Sequence, residues 1–425
     1  MIREPQLEEL RKKQSSKWRR YPADVLPLHV AEMDFEIAEP IVDVLTKMVS
    51  DSNLGYLGPV PEVGEAFAGF AKRRWGWTVD PTQVKIATDV GVAAVDIMKT
   101  ALNPGDKVVI TSPVYSSFYT WIPEAGCEVL DVPMTSDYRL DIPAIEAALA
   151  AGARAVLLCN PQNPTGTVHS KEELQELARI AKKHSALVIS DEIHAPLTFA
   201  SSLFIPYLSL GDDAEATGIT LTSNSKSWNT AGLKASIMVT QSAEMFSLLN
   251  TTTPANHWRS SILGAFAMVA SFNAGEAWLD EVMHKLDANR KFLQQELYKI
   301  PGAKLFMPES TYLAWVDLSE TSLANKPFDK IYEGAKVAFV SGDEHGPERD
   351  GGGGRGWLGR VVHGQRQAQR LGDAHHGGSG AHHHAGAGTA SDAGFHFHPL
   401  CLRDVARAAF VPVLEGVRAR AQCLA

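Results

Sequence analysis

The sequence reads as an α/β protein, with a large domain on a mostly parallel central sheet and a smaller α+β domain. Three observations point there. First, five short runs between Lys107 and Thr240 are continuously apolar: Lys107 to Thr111, Ala155 to Cys159, Ala186 to Ser190, Gly218 to Thr222 and Ser236 to Thr240. Unbroken apolar runs suit strands covered on both faces of a parallel sheet. Second, Ser170 to His184 has helical spacing, with Leu174, Leu177, Ala178 and Ala181 forming an apolar stripe. Ser170 is its candidate N-cap and Glu173 stands at the capping-box position. Third, the rhythm changes after about Phe272. A long helix is expected over Glu276 to Tyr298, then strand-like runs at Lys304 to Phe306 and Tyr312 to Leu318.

The expected division is an N-terminal arm with part of the small domain over 1–45, the large domain over 46–272 and the small domain over 273–357. An aberrant, mostly unstructured tail then runs over 358–425, with the change in composition beginning near Val337. The arm, through about Pro40, should pack on the small domain or on a partner subunit.

Composition narrows the function classes. Of 425 residues, 45% are hydrophobic and 21% charged, which excludes a chain disordered throughout. A formal net charge of -9 argues against a nucleic acid or an anionic membrane as the main partner. Cys127, Cys159, Cys401 and Cys423 follow no metal or disulfide spacing, so no metal is expected. Met1 to Arg20 lacks the apolar core of a secretory signal, and no apolar run nears the roughly 20 residues of a membrane helix. The expectation is a soluble cytoplasmic protein.

Ligands in open α/β sheets sit beyond the carboxyl ends of the strands, and three segments with chemistry follow strand ends. Lys226, in Ser223-Asn-Ser-Lys, comes just after the run ending at Thr222. Among small hydroxyl residues it could form an imine with a carbonyl cofactor, or be a solvated loop lysine. Asp191 ends another run, where a carboxylate can hold a protonated pyridine nitrogen or cap a helix. Asn160-Pro-Gln-Asn163-Pro-Thr-Gly166 follows Cys159 and reads as a turn presenting an amide to the same crevice, or a turn without a ligand.

Taken in this order, the three segments resemble the pyridoxal-phosphate (PLP) enzymes of the aspartate-aminotransferase superfamily, fold type I. The resemblance runs from about Leu10 to Val340. Finer motifs are similar to the cystathionine β-lyase, or carbon–sulfur lyase, branch: Leu28-His-Val-Ala-Glu-Met-Asp34, Asp191-Glu-Ile-His194-Ala-Pro, Ser225-Lys226-Ser-Trp-Asn-Thr-Ala-Gly-Leu-Lys234 and Ser310-Thr-Tyr-Leu-Ala-Trp. The resemblance implies a PLP-dependent homodimer that cleaves cystathionine or cysteine S-conjugates to a thiol, pyruvate and ammonia. Two alternatives stay open, an aminotransferase using the same residues and a catalytically impaired PLP-binding protein with a regulatory role.

It also implies roles for single residues. Lys226 matches the imine-forming lysine and later base, Asp191 the pyridinium partner and Asn163 the amide on the phenolic oxygen. Tyr115 matches the aromatic on the ring face, although a tyrosine in such a setting is more commonly core. Val90, Gly91 and Val92 match backbone donors to the phosphate at a helix start. Ser223 and Lys234 match the hydroxyl and cation of the phosphate cup. Asp89, just before these donors, would oppose a phosphate unless it points away. Tyr56 matches a tyrosine reaching the phosphate from a neighbouring subunit. His194 reads as a structural histidine.

The late arginine that binds the substrate carboxylate is the one part out of place. The family reads Trp-Val-Arg-Leu-Asn-Phe there, whereas Gly356-Trp-Leu-Gly-Arg360 puts its arginine one residue late, which on a strand is the opposite face. After Lys336 the chain has no Lys, Ile, Asn, Tyr or Met, the mark of a GC-rich gene read in another frame. A genuine insertion is the competing reading. A short helix is expected only over Asp404 to Arg420.

Overall fold

A computed structural model describes residues 2–324, 327–346 and 357–359, the last stretch as backbone only. In chain order the strands begin with β1 (Leu26–Pro27), β2 (Val84–Ala87), β3 (Lys107–Ile110), β4 (Glu128–Asp131) and β5 (Ala155–Cys159). They continue with β6 (Leu187–Asp191), β7 (Gly218–Thr222), β8 (Ser236–Val239), β9 (Lys304–Phe306) and β10 (Trp315–Asp317). Late in the chain come β11 (Val337–Ala338), β12 (Val340–Ser341) and β13 (Trp357–Gly359).

The large sheet has the order β2-β8-β7-β6-β5-β3-β4. Its inner strands show why their sequences lack alternation. Val108 and Ile110 of β3, and Ala155, Leu157 and Cys159 of β5, pack on the side of the Val90–Ala101 helix. Val109, Val156 and Leu158 point the other way, into a cluster with Leu174, Leu177 and Ile180 of the Lys171–Lys183 helix. Successive side chains face opposite sides and both sides are covered, so every position must be apolar. The Lys171–Lys183 helix starts as expected. Ser170 Oγ accepts from the Glu173 amide at 3.1 Å, and Glu173 Oε2 accepts from the Ser170 amide at 2.7 Å.

Two features of the sheet differ from the sequence reading. β8 is buried but antiparallel to both β7 and β2, because burial fixes a strand's composition and not its direction. The edge strands β2 and β4 carried no unbroken apolar signal, being only partly buried. The direction of β8 has a useful consequence. Its first residue lies beside the ends of β7 and β2, with Ile237 paired to Thr222 and Ser236 to Ala87. Residues entering β8 therefore gather at the same sheet edge as residues leaving β2, β5, β6 and β7.

The N-terminal arm packs on late segments of its own chain. β1 pairs in parallel with β11, and Leu7, Leu26 and Leu28 share a cluster with Leu297, Val316, Leu318, Ile331 and Phe339. The long helix spans Glu276–Leu297. The Tyr312 to Leu318 run is shorter as a strand than expected, since only Trp315–Asp317 pairs, between β9 and β13. Val337 to Gly346, where the composition begins to change, is ordered, with β11, β12 and a buried His345. Val337 and Phe339 supply the apolar contacts that composition averaged over a long window had hidden. β13 pairs antiparallel with β10 and β12. Arg360, the remaining tail and the expected Asp404–Arg420 helix lie outside the described residues. No single helix among the described residues is long and apolar enough to cross a membrane.

Candidate active site

The strand ends open onto one cleft of about 410 Å³. Lys226, Asp191, Asn163, Tyr115, Val90, Gly91, Val92, Ser223 and Lys234 all line it. Tyr56 does not; it is 89% exposed in the single chain.

Asp191 is the last residue of β6 and is buried. It accepts from the Ile193 amide at 3.2 Å. Burial pushes its carboxyl up to about 7, against the opposing pull of the Ile193 amide and the Lys226 charge. A carboxylate so placed gains from a cation brought to it, as a protonated pyridine nitrogen would be. The next residue, Glu192, points elsewhere, to the Tyr207 amide and the Ser190 hydroxyl, and burial raises it to about 8.

Lys226 follows β7 by four residues, and its Nζ donates to the Ala31 carbonyl at 3.3 Å. This is not a solvated loop lysine. Asn163 is buried, and its amide oxygen has no hydrogen-bond partner, a state that a polar ligand would relieve. The turn that presents it depends on Gly166, whose φ is +73° and whose missing Cβ would lie 2.6 Å from Pro308 and the Ser310 carbonyl. Gln162 ties this turn to the next, donating to the carbonyls of Thr111 and Pro113.

Tyr115 sits on that second turn, edge-on to Trp121 with centroids 5.6 Å apart. Sequence reasoning missed two of its supports. The His345 carbonyl accepts from the Val114 amide, and His345 Nδ1 lies 2.9 Å from the Val114 carbonyl. Trp121 lines the cleft and lies against Gly91, where a Cβ would meet its ring at 2.6 Å. Gly91 is therefore required by Trp121 as well as by any anion. Neither support had a local signal, because both depend on contacts distant in sequence.

The phosphate end departs from expectation in detail. Asp89 does not point away. It caps the Val90–Ala101 helix by accepting from the Val92 amide at 2.8 Å, and its other oxygen lies 3.1 Å from Lys234 Nζ. The Val92 donor is thus already taken. Ser223 Oγ donates to the Ala235 carbonyl at 2.7 Å and accepts from the Ser225 amide at 3.0 Å, so its proton faces away from an anion. Ser225 also lines the cleft and was not singled out. His194, read as structural, is buried and lines the cleft beside Ile193.

Fold and site together define an α/β protein that presents a lysine, a buried carboxylate and a helix start in one cleft. The chain belongs to the aminotransferase class I and II family, whose model matches residues 23–353. It is 36% identical to the cystathionine beta-lyase of Corynebacterium glutamicum, over 81% of this chain and 92% of that one. It is 31% identical to cystathionine beta-lyase PatB of Bacillus subtilis, over 80% and 90%. A Corynebacterium diphtheriae crystal structure described as a PLP-dependent beta-cystathionase superposes with a TM-score of 0.81 at 30% identity, covering 88% of this chain and 96% of that one.

Proposed function

We propose that this protein is a PLP-dependent carbon–sulfur β-lyase that cleaves cystathionine or cysteine S-conjugates to a thiol, pyruvate and ammonia. The observation that carries the reading is the placement of Lys226 and the buried Asp191 in one cleft with Asn163 and Tyr115. The likeness to the cystathionine beta-lyases supports the choice of reaction.

The residues fit the cofactor. When bound, PLP supplies an electron sink for charge developing at the substrate Cα. Asp191 would hold the proton on its ring nitrogen, and that cation would offset the cost of burying the carboxylate. Asn163 would bind the phenolic oxygen, and Tyr115 would cover a ring face. Val90 and Gly91 amides, Ser225 and Lys234 offer donors for the phosphate. Lys226 is the amine that would hold the cofactor through its aldehyde carbon. With a substrate amine in its place, Lys226 would be the amine positioned to remove the Cα proton. The net reaction would be cystathionine plus water to homocysteine, pyruvate and ammonia, with the thiolate leaving from Cβ.

The active unit is proposed to be a homodimer. Tyr56 at 89% and Leu54 at 53% exposure leave an aromatic–aliphatic pair for a second copy to cover, with Tyr56 reaching the partner's phosphate site. The test of function is pyruvate release from cystathionine without an amino acceptor. Pyruvate formed in proportion to thiol supports the lyase, whereas turnover that requires a keto acid would make the protein an aminotransferase.

A further inference from the structure

Residues Ala31–Asp34 form a strap against the Lys226 loop, held from three other parts of the chain. The Met33 amide donates to Asn229 Oδ1 at 2.8 Å, and Asn229 Nδ2 donates back to the Met33 carbonyl at 2.7 Å. Lys17 Nζ donates to the Glu32 carbonyl at 2.9 Å and to the Asp34 carboxylate at 2.8 Å. The Tyr312 hydroxyl donates to the Ala31 carbonyl at 3.0 Å. That same carbonyl oxygen is the one that accepts from Lys226 Nζ.

These ties are an expensive way to hold so short a segment, most of which is buried. Lys17 and Asp34 are 1% and 7% exposed, and burying an ion pair costs desolvation that its attraction barely offsets. Burial pushes the Lys17 amine down while Asp34 opposes the shift. Asn229 sits at φ 58°, a left-handed conformation that asparagine tolerates better than most residues. What such an arrangement secures is position, since each tie fixes the strap relative to a different element. Tyr312 is itself buried, so its hydroxyl is directed rather than free to turn in water.

We propose that Asn229 and Tyr312 are positioning residues for Lys226. Acting through the Ala31–Asp34 strap, they hold the Ala31 carbonyl where it anchors the uncondensed Lys226 amine at the cleft wall. A carbonyl oxygen has two lone pairs, so it serves the Tyr312 hydroxyl and the lysine together. The inference rests on the reading of Lys226 as the reactive amine, and it explains how that amine stays in register for the Cα proton when substrate has displaced it.

The test uses Asn229→Gly, which suits a positive φ and removes both bonds to Met33, and Tyr312→Phe, which keeps the ring. The cofactor-free protein is labelled briefly with acetic anhydride at one pH, and acetylation of Lys226 is measured by peptide mass spectrometry relative to exposed Lys47. Losing the anchoring hydrogen bond should raise the relative labelling of Lys226 roughly three- to ten-fold in both variants. In the PLP-loaded protein kcat should fall by a similar factor with KM nearly unchanged. Leu318→Ala, in the cluster that the late strands share with the N-terminal arm and that contains no strap residue and neither Asn229 nor Tyr312, is the comparison for lost stability and should leave Lys226 labelling unchanged. Unchanged labelling and kcat in both variants would overturn the proposal, as would Leu318→Ala raising Lys226 labelling equally. A wild-type chain that takes up no PLP would overturn the cofactor reading instead, and the labelling would still decide the strap.

Discussion

The Asp89 carboxylate bridges the Val92 amide and the Lys234 ammonium, at 2.8 and 3.1 Å, and so occupies two of the donors that a cofactor phosphate would use. The end of the cleft proposed to take the phosphate already carries an internal anion. Asparagine caps a helix as well as aspartate does but brings no charge. Asp89→Asn should therefore fold normally and bind PLP more tightly. The pair is half-exposed and worth at most about 1 kcal/mol, so the gain should be roughly two- to five-fold in Kd. Titration of the cofactor-free protein followed by fluorescence would show it. Weaker binding by Asp89→Asn would mean that Asp89 helps the phosphate by holding Lys234 in place.

Asp191 has opposite effects on stability and on function. Burial holds its proton until about pH 7, well above the usual carboxylate range. Between that range and pH 7 the native state binds more protons than the unfolded chain, so stability falls as pH rises through the window. Glu192 acts in the same sense up to about pH 8. Asp191→Asn should raise the melting temperature of the cofactor-free protein at pH 8 and change it little near pH 4. At about 1.4 kcal/mol per tenfold change in proton affinity, the gain is on the order of 1–4 kcal/mol. The same variant should lose activity by at least roughly a hundredfold when loaded, since a positioned proton-holding group commonly contributes that much. Calorimetry at the two pH values, paired with a pyruvate assay, checks both signs.

Dimerisation should be linked to cofactor binding through Tyr56. Tyr56→Ala is expected to weaken PLP binding and to lower the dimer fraction measured by sedimentation. A fully loaded monomer would contradict the assignment of Tyr56 to a partner's site.

The late arginine is tested by restoring it. Replacing the segment after Gly356 with a Trp-Val-Arg-Leu-Asn-Phe pattern should improve kcat/KM for cystathionine. Removing one side of a buried, hydrogen-bonded charge pair costs roughly 2–5 kcal/mol, or about 30- to several-thousand-fold. PLP binding should be the same in both chains, because its proposed contacts within one chain all precede Ala235. Equal efficiency would show that Arg360 or another residue already holds the substrate carboxylate.

Much of the fold was legible because local patterns sufficed. Unbroken apolar runs marked β3, β5, β6, β7 and β8, and Ser170 with Glu173 marked a helix start. Asn163, Asp191 and Lys226 were legible because each ends or follows a strand at the carboxyl edge of the sheet. What escaped depends on contacts between distant segments. The direction of β8 is set by its neighbours, Trp121 matters through Gly91, and His345 acts by holding the Tyr115 turn. Asp89 was noticed as a charge, but only geometry shows it paired with Lys234 across 145 residues.

The most direct test of the account is where the cofactor attaches. The protein is loaded with PLP, reduced with borohydride, digested and analysed by mass spectrometry. The account predicts a single phosphopyridoxyl group on Lys226, and none on Lys234, its neighbour in the cleft. Label on another lysine, or on none, would contradict it.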